Sequence, residues 1–139
     1  MGYYIDFVFN PNEHLDCEAI VQKFVKLGAR RIPDEDIGPA AGKVVDVLFS
    51  DFGYPITVFR KEHRKGNWAD IRMSWAEDPE SIRERLKYIL ELADRLGCRV
   101  YDGQIKEYLT KDNLDTMETK FAKISGTVIG LIGKAKKGC

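Results

Sequence analysis

His14 and His63 are the two histidines of this chain, the residue type best suited to acid–base chemistry, and with Asp46, Asp51 or Asp70 either could supply it for hydrolysis. Neither stands at a ligand spacing, because the chain holds no H-E-x-x-H, H-x-H or C-x-x-C. Cys17 and Cys98 fall on apolar stripes, where burial keeps a thiol protonated and inert. Gly38-Pro39-Ala40-Ala41-Gly42-Lys43 looks like a phosphate loop but lacks its requirements. Three residues instead of four separate its glycines, Val44 replaces the Ser or Thr, and a strand follows instead of a helix. These residues nominate no catalytic set, no metal and no cofactor. A small hydrolase with a site near His63 or His14 is therefore the runner-up to a binding role.

Two runs of charge are candidate recognition surfaces. Arg60-Lys61-Glu62-His63-Arg64-Lys65 carries a net charge of +3 with Trp68 close by, the mixture that neutralises phosphates and stacks a base. Against a nucleic-acid partner, the whole chain is neutral, with 22 basic and 22 acidic residues, and charged hairpin tips also protect sheet edges from pairing. The opposite sign is concentrated in Asp34-Glu35-Asp36. Charge complementarity sets partner choice and encounter rate, so Asp34, Glu35, Asp36, Arg60, Lys61, Arg64, Lys65 and Trp68 form the expected partner-binding set, and the expected partner is another protein.

The 139 residues, 44% hydrophobic and 32% charged, suit one globular domain with a substantial core. The longest apolar stretches, Val44 to Phe49 and Thr127 to Ile132, fall far short of the roughly 18 residues a membrane span needs. The opening MGYYIDFVF has no basic n-region, so neither a span nor a signal peptide is expected. Three cysteines, Cys17, Cys98 and Cys139, cannot close a disulfide framework in a monomer. A reducing, cytoplasmic setting follows as the expectation.

The elements that must position these groups follow from periodicity. Tyr3, Ile5, Phe7 and Phe9 alternate with Tyr4, Asp6, Val8 and Asn10 as a strand. Cys17, Ile20, Val21, Phe24 and Leu27 recur at helical spacing, predicting a helix over Leu15 to Leu27 closed by Gly28. Ala29 to Gly42 shows no period and reads as a long loop. Lys43 to Ser50, Ile56 to Lys61 and Trp68 to Trp75 then form a meander. Asp78 and Pro79 start a helix whose apolar face is Ile82, Leu86, Ile89, Leu90, Ala93 and Leu96, and Lys87, Glu91 and Arg95 on its other face are ordinary solvated surface. Cys98 to Tyr101 is a strand, Asp102-Gly103 a turn, and Ile105 to Leu109 a hairpin return. The order β-α-β-β-β-α-β-α predicts a ferredoxin-like α+β sandwich, its helices on one face of an antiparallel sheet, with an additional C-terminal helix.

That last helix is predicted over Asp112 to Lys136, with Leu114, Met117, Phe121, Ile124, Val128, Leu131 and Ala135 as its seam. Ala122, Gly126 and Gly130 stand four apart beside the seam. A helix glycine costs about 1 kcal/mol against alanine, and close approach of the domain's own elements or of a second copy would offset that; the second copy is the expectation, with these three residues as the homodimer interface, and a helix broken at Gly126 and folded back on its own domain is the alternative. From Lys120 onward there are five lysines and no acid. They suit the negative end of the helix dipole and also a membrane-surface contact, a minor alternative because Cys139 does not fit a C-a-a-X signal.

Leu92-Ala93-Asp94-Arg95-Leu96-Gly97-Cys98-Arg99-Val100-Tyr101-Asp102-Gly103-Gln104, leading to Glu107-Tyr108-Leu109-Thr110, resembles a segment of small bacterial α+β proteins, some of them immunity-type proteins that neutralise toxins. In those the helix delivers the chain to a core strand ending in Tyr-Asp and a glutamine turn. The resemblance covers under a fifth of the chain and carries over no catalytic residue. It implies a non-enzymatic bacterial protein that acts by binding another protein.

Overall fold

The computed structural model describes residues 2–60, 66–74, 79–117, 119–120 and 123. The chain is α+β, with elements in the order β1 (Gly2–Val8), α1 (Cys17–Val25), β2 (Arg30–Arg31), α2 (Asp34–Ile37), a 3-10 turn (Gly38–Gly42), β3 (Val44–Leu48), β4 (Ile56–Phe59), β5 (Trp68–Ser74), α3 (Pro79–Leu96), β6 (Arg99–Asp102) and β7 (Glu107–Leu109). Residues 114–117 then turn helical again. All strands join one open sheet in the order β2-β3-β4-β5-β1-β6-β7, and every pairing is antiparallel.

Alternation sorts the strands into two faces. Ile5, Phe7, Val45, Val47, Ile56, Val58, Ala69, Ile71, Met73 and Val100 point to one side and are all but inaccessible. The same core takes Ile20, Val21 and Phe24 from α1 and Ile82, Leu86, Ile89, Leu92 and Ala93 from α3. Phe24 packs edge-on against Phe7 at 5.4 Å and Phe49 at 6.5 Å, and Phe49 reaches Tyr88 of α3 at 6.2 Å. One aromatic chain thus ties both helices to the sheet. Leu114 and Met117 enter this core too, so α1, α3 and residues 114–117 all pack on one side.

Local chemistry accounts for the differences from the sequence-based boundaries. The Asp16 carboxylate accepts the Ala19 N–H at 2.7 Å as N-cap, so α1 starts at Cys17 and leaves Leu15 outside. The stretch expected to be a loop, 29–42, is more ordered. Arg30 and Arg31 pair with Leu48 and Val47, and Arg31 meets Glu18 of α1 at 2.8 Å. A two-residue strand and single helical turns are too short to display a period. In α3, Leu92 is buried while Leu90 and Leu96 are partly so, a small rotation of the expected stripe.

The end of the sheet at β7 is closed by side chains. Asn113 Nδ2 donates to the Tyr108 carbonyl at 2.7 Å, and Asn113 Oδ1 accepts the Thr110 N–H at 2.7 Å. These occupy backbone groups that an edge strand would otherwise offer to another chain. At the opposite edge β2 is only two residues long.

Candidate partner-binding face

The face of the sheet away from α1 and α3 carries no packed helix among the described residues. Register runs one row across it: Asp46 beside Thr57, Thr57 beside Asp70, Asp70 beside Asp6, Asp6 beside Tyr101, and Tyr101 beside Tyr108. At about 4.8 Å per strand the row is roughly 24 Å long. Asp46 Oδ1 accepts the Thr57 hydroxyl at 2.6 Å, which fixes one end. The other end is aromatic, with the Tyr101 ring 5.1 Å from Tyr108 and 6.1 Å from Trp68.

Two arginines of this face lie against rings. The Arg99 guanidinium lies 3.9 Å from the Tyr108 ring centroid and donates to Tyr108 Oη at 2.7 Å, while Arg72 lies 5.4 Å from the Tyr4 ring. Tyr4 and Tyr108, at 41% and 37% exposure, are the exposed large hydrophobic side chains of the described residues. Exposed aromatics beside charged groups present ring area on this face at low entropic cost.

The expected partner-binding residues are distributed unevenly around this face. Asp34, Glu35 and Asp36 form the exposed turn α2. Arg60 Nε donates to the Ala41 carbonyl at 3.2 Å and the Arg60 N–H to the Lys43 carbonyl at 2.8 Å, so the hairpin stem abuts the 3-10 turn that follows the acidic turn. Trp68 sits elsewhere, opposite Val8 on the open face. Lys61, Arg64 and Lys65 lie outside the described residues, as do Ala122, Gly126, Gly130, His63 and Cys139. Tyr4, Asp6, Asp70, Tyr101 and Tyr108, which the register places on this face, were not among the expected partner-binding residues; Asp70 was expected only as an acid–base candidate. Their signal was the second phase of the alternation, the one left over when the core phase had been assigned.

On the helix side, two adjoining clefts of about 450 and 570 Å³ share Asp51 and Tyr88. The Tyr88 hydroxyl donates to Asp51 Oδ1 at 2.8 Å, and Phe52 stacks on the Tyr88 ring at 4.8 Å. Burial, with the hydrogen bond to Asp51 adding to it, raises the Tyr88 hydroxyl far above its ordinary range, so it remains a donor. Arg85 donates to the Phe52 carbonyl and lies 4.9 Å from the Tyr54 ring, pinning this loop to α3. Among the described residues the groups required for hydrolysis do not converge, and His63 lies outside them. His14 is exposed in the loop after β1, Asp51 lies on the helix side, and Asp46 and Asp70 lie on the open face. No three His, Cys, Asp or Glu among the described residues could hold a metal ion.

Cys17 is buried and Cys98 half-buried, and burial pushes the Cys98 thiol up to about 12, the state of an unreactive thiol. The chain enters β3 directly after Gly38–Gly42, so no helix N-terminus stands there for a phosphate. No helix of the described residues is long and apolar enough to cross a membrane.

Comparison of the chain with protein-family models, with curated proteins and with solved structures finds no match to any of them.

Proposed function

We propose that this chain is a non-enzymatic protein-binding module that takes its partner on the open face of the sheet, with the Asp34–Asp36 turn and the Arg60 hairpin stem contributing at one corner. The observation that carries this reading is the half-exposed aromatic end, Tyr4, Tyr101 and Tyr108, on a face whose opposite side already holds the helices. Both edges are shielded, by Asn113 at β7 and by the brevity of β2, which favours docking on the face over strand addition. The resemblance of 92–110 to immunity-type proteins points the same way. We read β4-β5-β1-β6 as a ferredoxin-like unit extended at its margins, because β1 lies between the strand that precedes α3 and the strand that follows it. Pairing of two copies through the C-terminal segment belongs to the same proposal.

A test compares proteins captured by the full chain, by Tyr4→Lys with Tyr108→Lys, and by a helix-side control, Glu84→Lys. The expected result is a partner held by the wild type and the control and lost from the face variant. Equal capture by all three would remove the face from consideration.

A further inference from the structure

We infer that the β6–β7 hairpin is a pH-responsive latch, closed while the Asp102 carboxyl carries a proton and opened more often once it gives that proton up. Asp102 is the last residue of β6 and is fully buried, opposite Ile5 of β1 and Glu107 of β7. One carboxyl oxygen, Oδ1, organises the turn that follows by accepting the N–H groups of Gln104 and Ile105. The other, Oδ2, is buried and has no hydrogen-bond partner among the described residues. A carboxylate charge held in that way is costly, and two routes relieve it: uptake of a proton, or local opening that lets water reach the oxygen.

The position of Asp102 in the sheet makes the second route inexpensive. β7 is three residues long and pairs with β6 alone, so lifting it breaks few hydrogen bonds. The turn is tied to β1 by Gln104 Oε1, which accepts the Tyr4 N–H at 3.1 Å. Within it the Lys106 N–H donates to the Asp102 carbonyl at 2.7 Å, and Lys106 itself sits at a φ of 61°, a conformation that a side chain makes unfavourable. Two charged groups act on the carboxyl. Glu107 of β7 strengthens its hold on the proton, and Lys120 weakens it but is itself held by Glu107 at 3.0 Å. The other elements packed here bring apolar groups to the core, Ile5 from β1 and Ile89 and Ala93 from α3. Burial is the largest influence and lifts the carboxyl from 3.8 to about 6. An opened hairpin hydrates the group and returns it to its ordinary range, so opening is rarest below about pH 4, grows as pH rises towards about 6, and is constant above that. Each pH unit between the two values is a factor of about ten in the opening constant, which puts the whole rise at about tenfold to a hundredfold. The latch is a property of the fold and is the same whatever the open face holds.

The experiment follows amide hydrogen exchange of the isotope-labelled full chain from about pH 4 to 8, corrected for the intrinsic pH dependence of exchange, together with the carboxyl carbon signal of Asp102. The Gln104 and Ile105 amides should lose about tenfold or more of their protection across this range, with a midpoint that coincides with the titration of the carboxyl. Their exchange should respond to urea far less than that of Val58 in the centre of the sheet, because only the hairpin opens. Glu107→Gln should move both midpoints down together, and Asp102→Asn should remove the pH dependence. Protection of the turn that does not change with pH, a carboxyl that titrates in the ordinary range, a pH dependence that survives in Asp102→Asn, or a urea response of the turn equal to that of Val58 would each overturn the inference. The wild-type series decides the matter without either variant, so a variant that fails to fold takes nothing from the test.

Discussion

Asp102→Asn should make the protein more stable at neutral pH and should flatten its acid-side stability profile. Asp102 occupies a core-facing position of β6, opposite Ile5 and Glu107, and is fully buried. Its Oδ1 accepts the N–H groups of Gln104 at 3.0 Å and Ile105 at 3.2 Å, while Oδ2 has no hydrogen-bond partner among the described residues. Burial lifts its pKa from 3.8 to about 6; the two backbone N–H groups pull it down, nearby Glu107 pushes it up and Lys120 pulls it down. Glu107 is itself held by Lys120 at 3.0 Å. Because the folded state binds this proton more tightly than the unfolded chain, the penalty is absent below about pH 4, grows as pH rises towards 6, and is constant above it. The full interval corresponds to about 3 kcal/mol, an upper bound that relaxation around the carboxyl brings to on the order of 1–3 kcal/mol. Asparagine keeps the Oδ1 acceptor and removes the charge, but its amide needs an acceptor that Oδ2 never had, a cost of about 1 kcal/mol. The net expectation is a gain of up to about 2 kcal/mol at pH 7–8 and a loss of about 1 kcal/mol at pH 4. Urea unfolding of both proteins at intervals from pH 4 to 8 reads this directly, with the two stability curves crossing between. A difference between variant and wild type that stays constant across that range would refute the assignment of a raised carboxyl to Asp102.

Leu86→Ala, at a fully buried position shared by α3 and the sheet core, should cost about 2–5 kcal/mol in urea unfolding; a loss under about 1 kcal/mol would contradict the packing of α3 on the sheet. Gly130→Leu addresses the proposed pairing of C-terminal segments, with the sedimenting species expected to move from dimer to monomer while the fold is retained. A wild-type protein that is monomeric at high micromolar concentration would dispose of that proposal.

Legibility in the sequence followed the length and locality of each feature. The 18 residues of α3 repeat their stripe over several turns, and the three strands of the meander pair with their chain neighbours, so both could be read from spacing. β2 and α2, with two and four residues, hold no repeat to read. Asp102 was expected in a turn because Asp-Gly marks one, yet it ends β6 and its side chain organises the turn that follows, with Lys106 at a positive φ of 61°. The acidic turn at Asp34–Asp36 was visible as composition alone. The open face proposed for the partner was not, because its composition depends on non-local pairing. Only the insertion of β1 between β5 and β6 places Asp6 between Asp70 and Tyr101.

Asn113, which seals the β7 edge, belongs to the same short stretch as Leu114 and Met117, whose side chains are buried in the core. Lifting that stretch by a few ångströms would therefore bare a strand edge and an apolar patch in a single event. Ordinary local opening would create a sticky species at this end of the molecule without any loss of the central sheet. The stretch acts as a stopper, and the rate at which it lifts, more than the global unfolding free energy, would govern how long a concentrated solution stays clear.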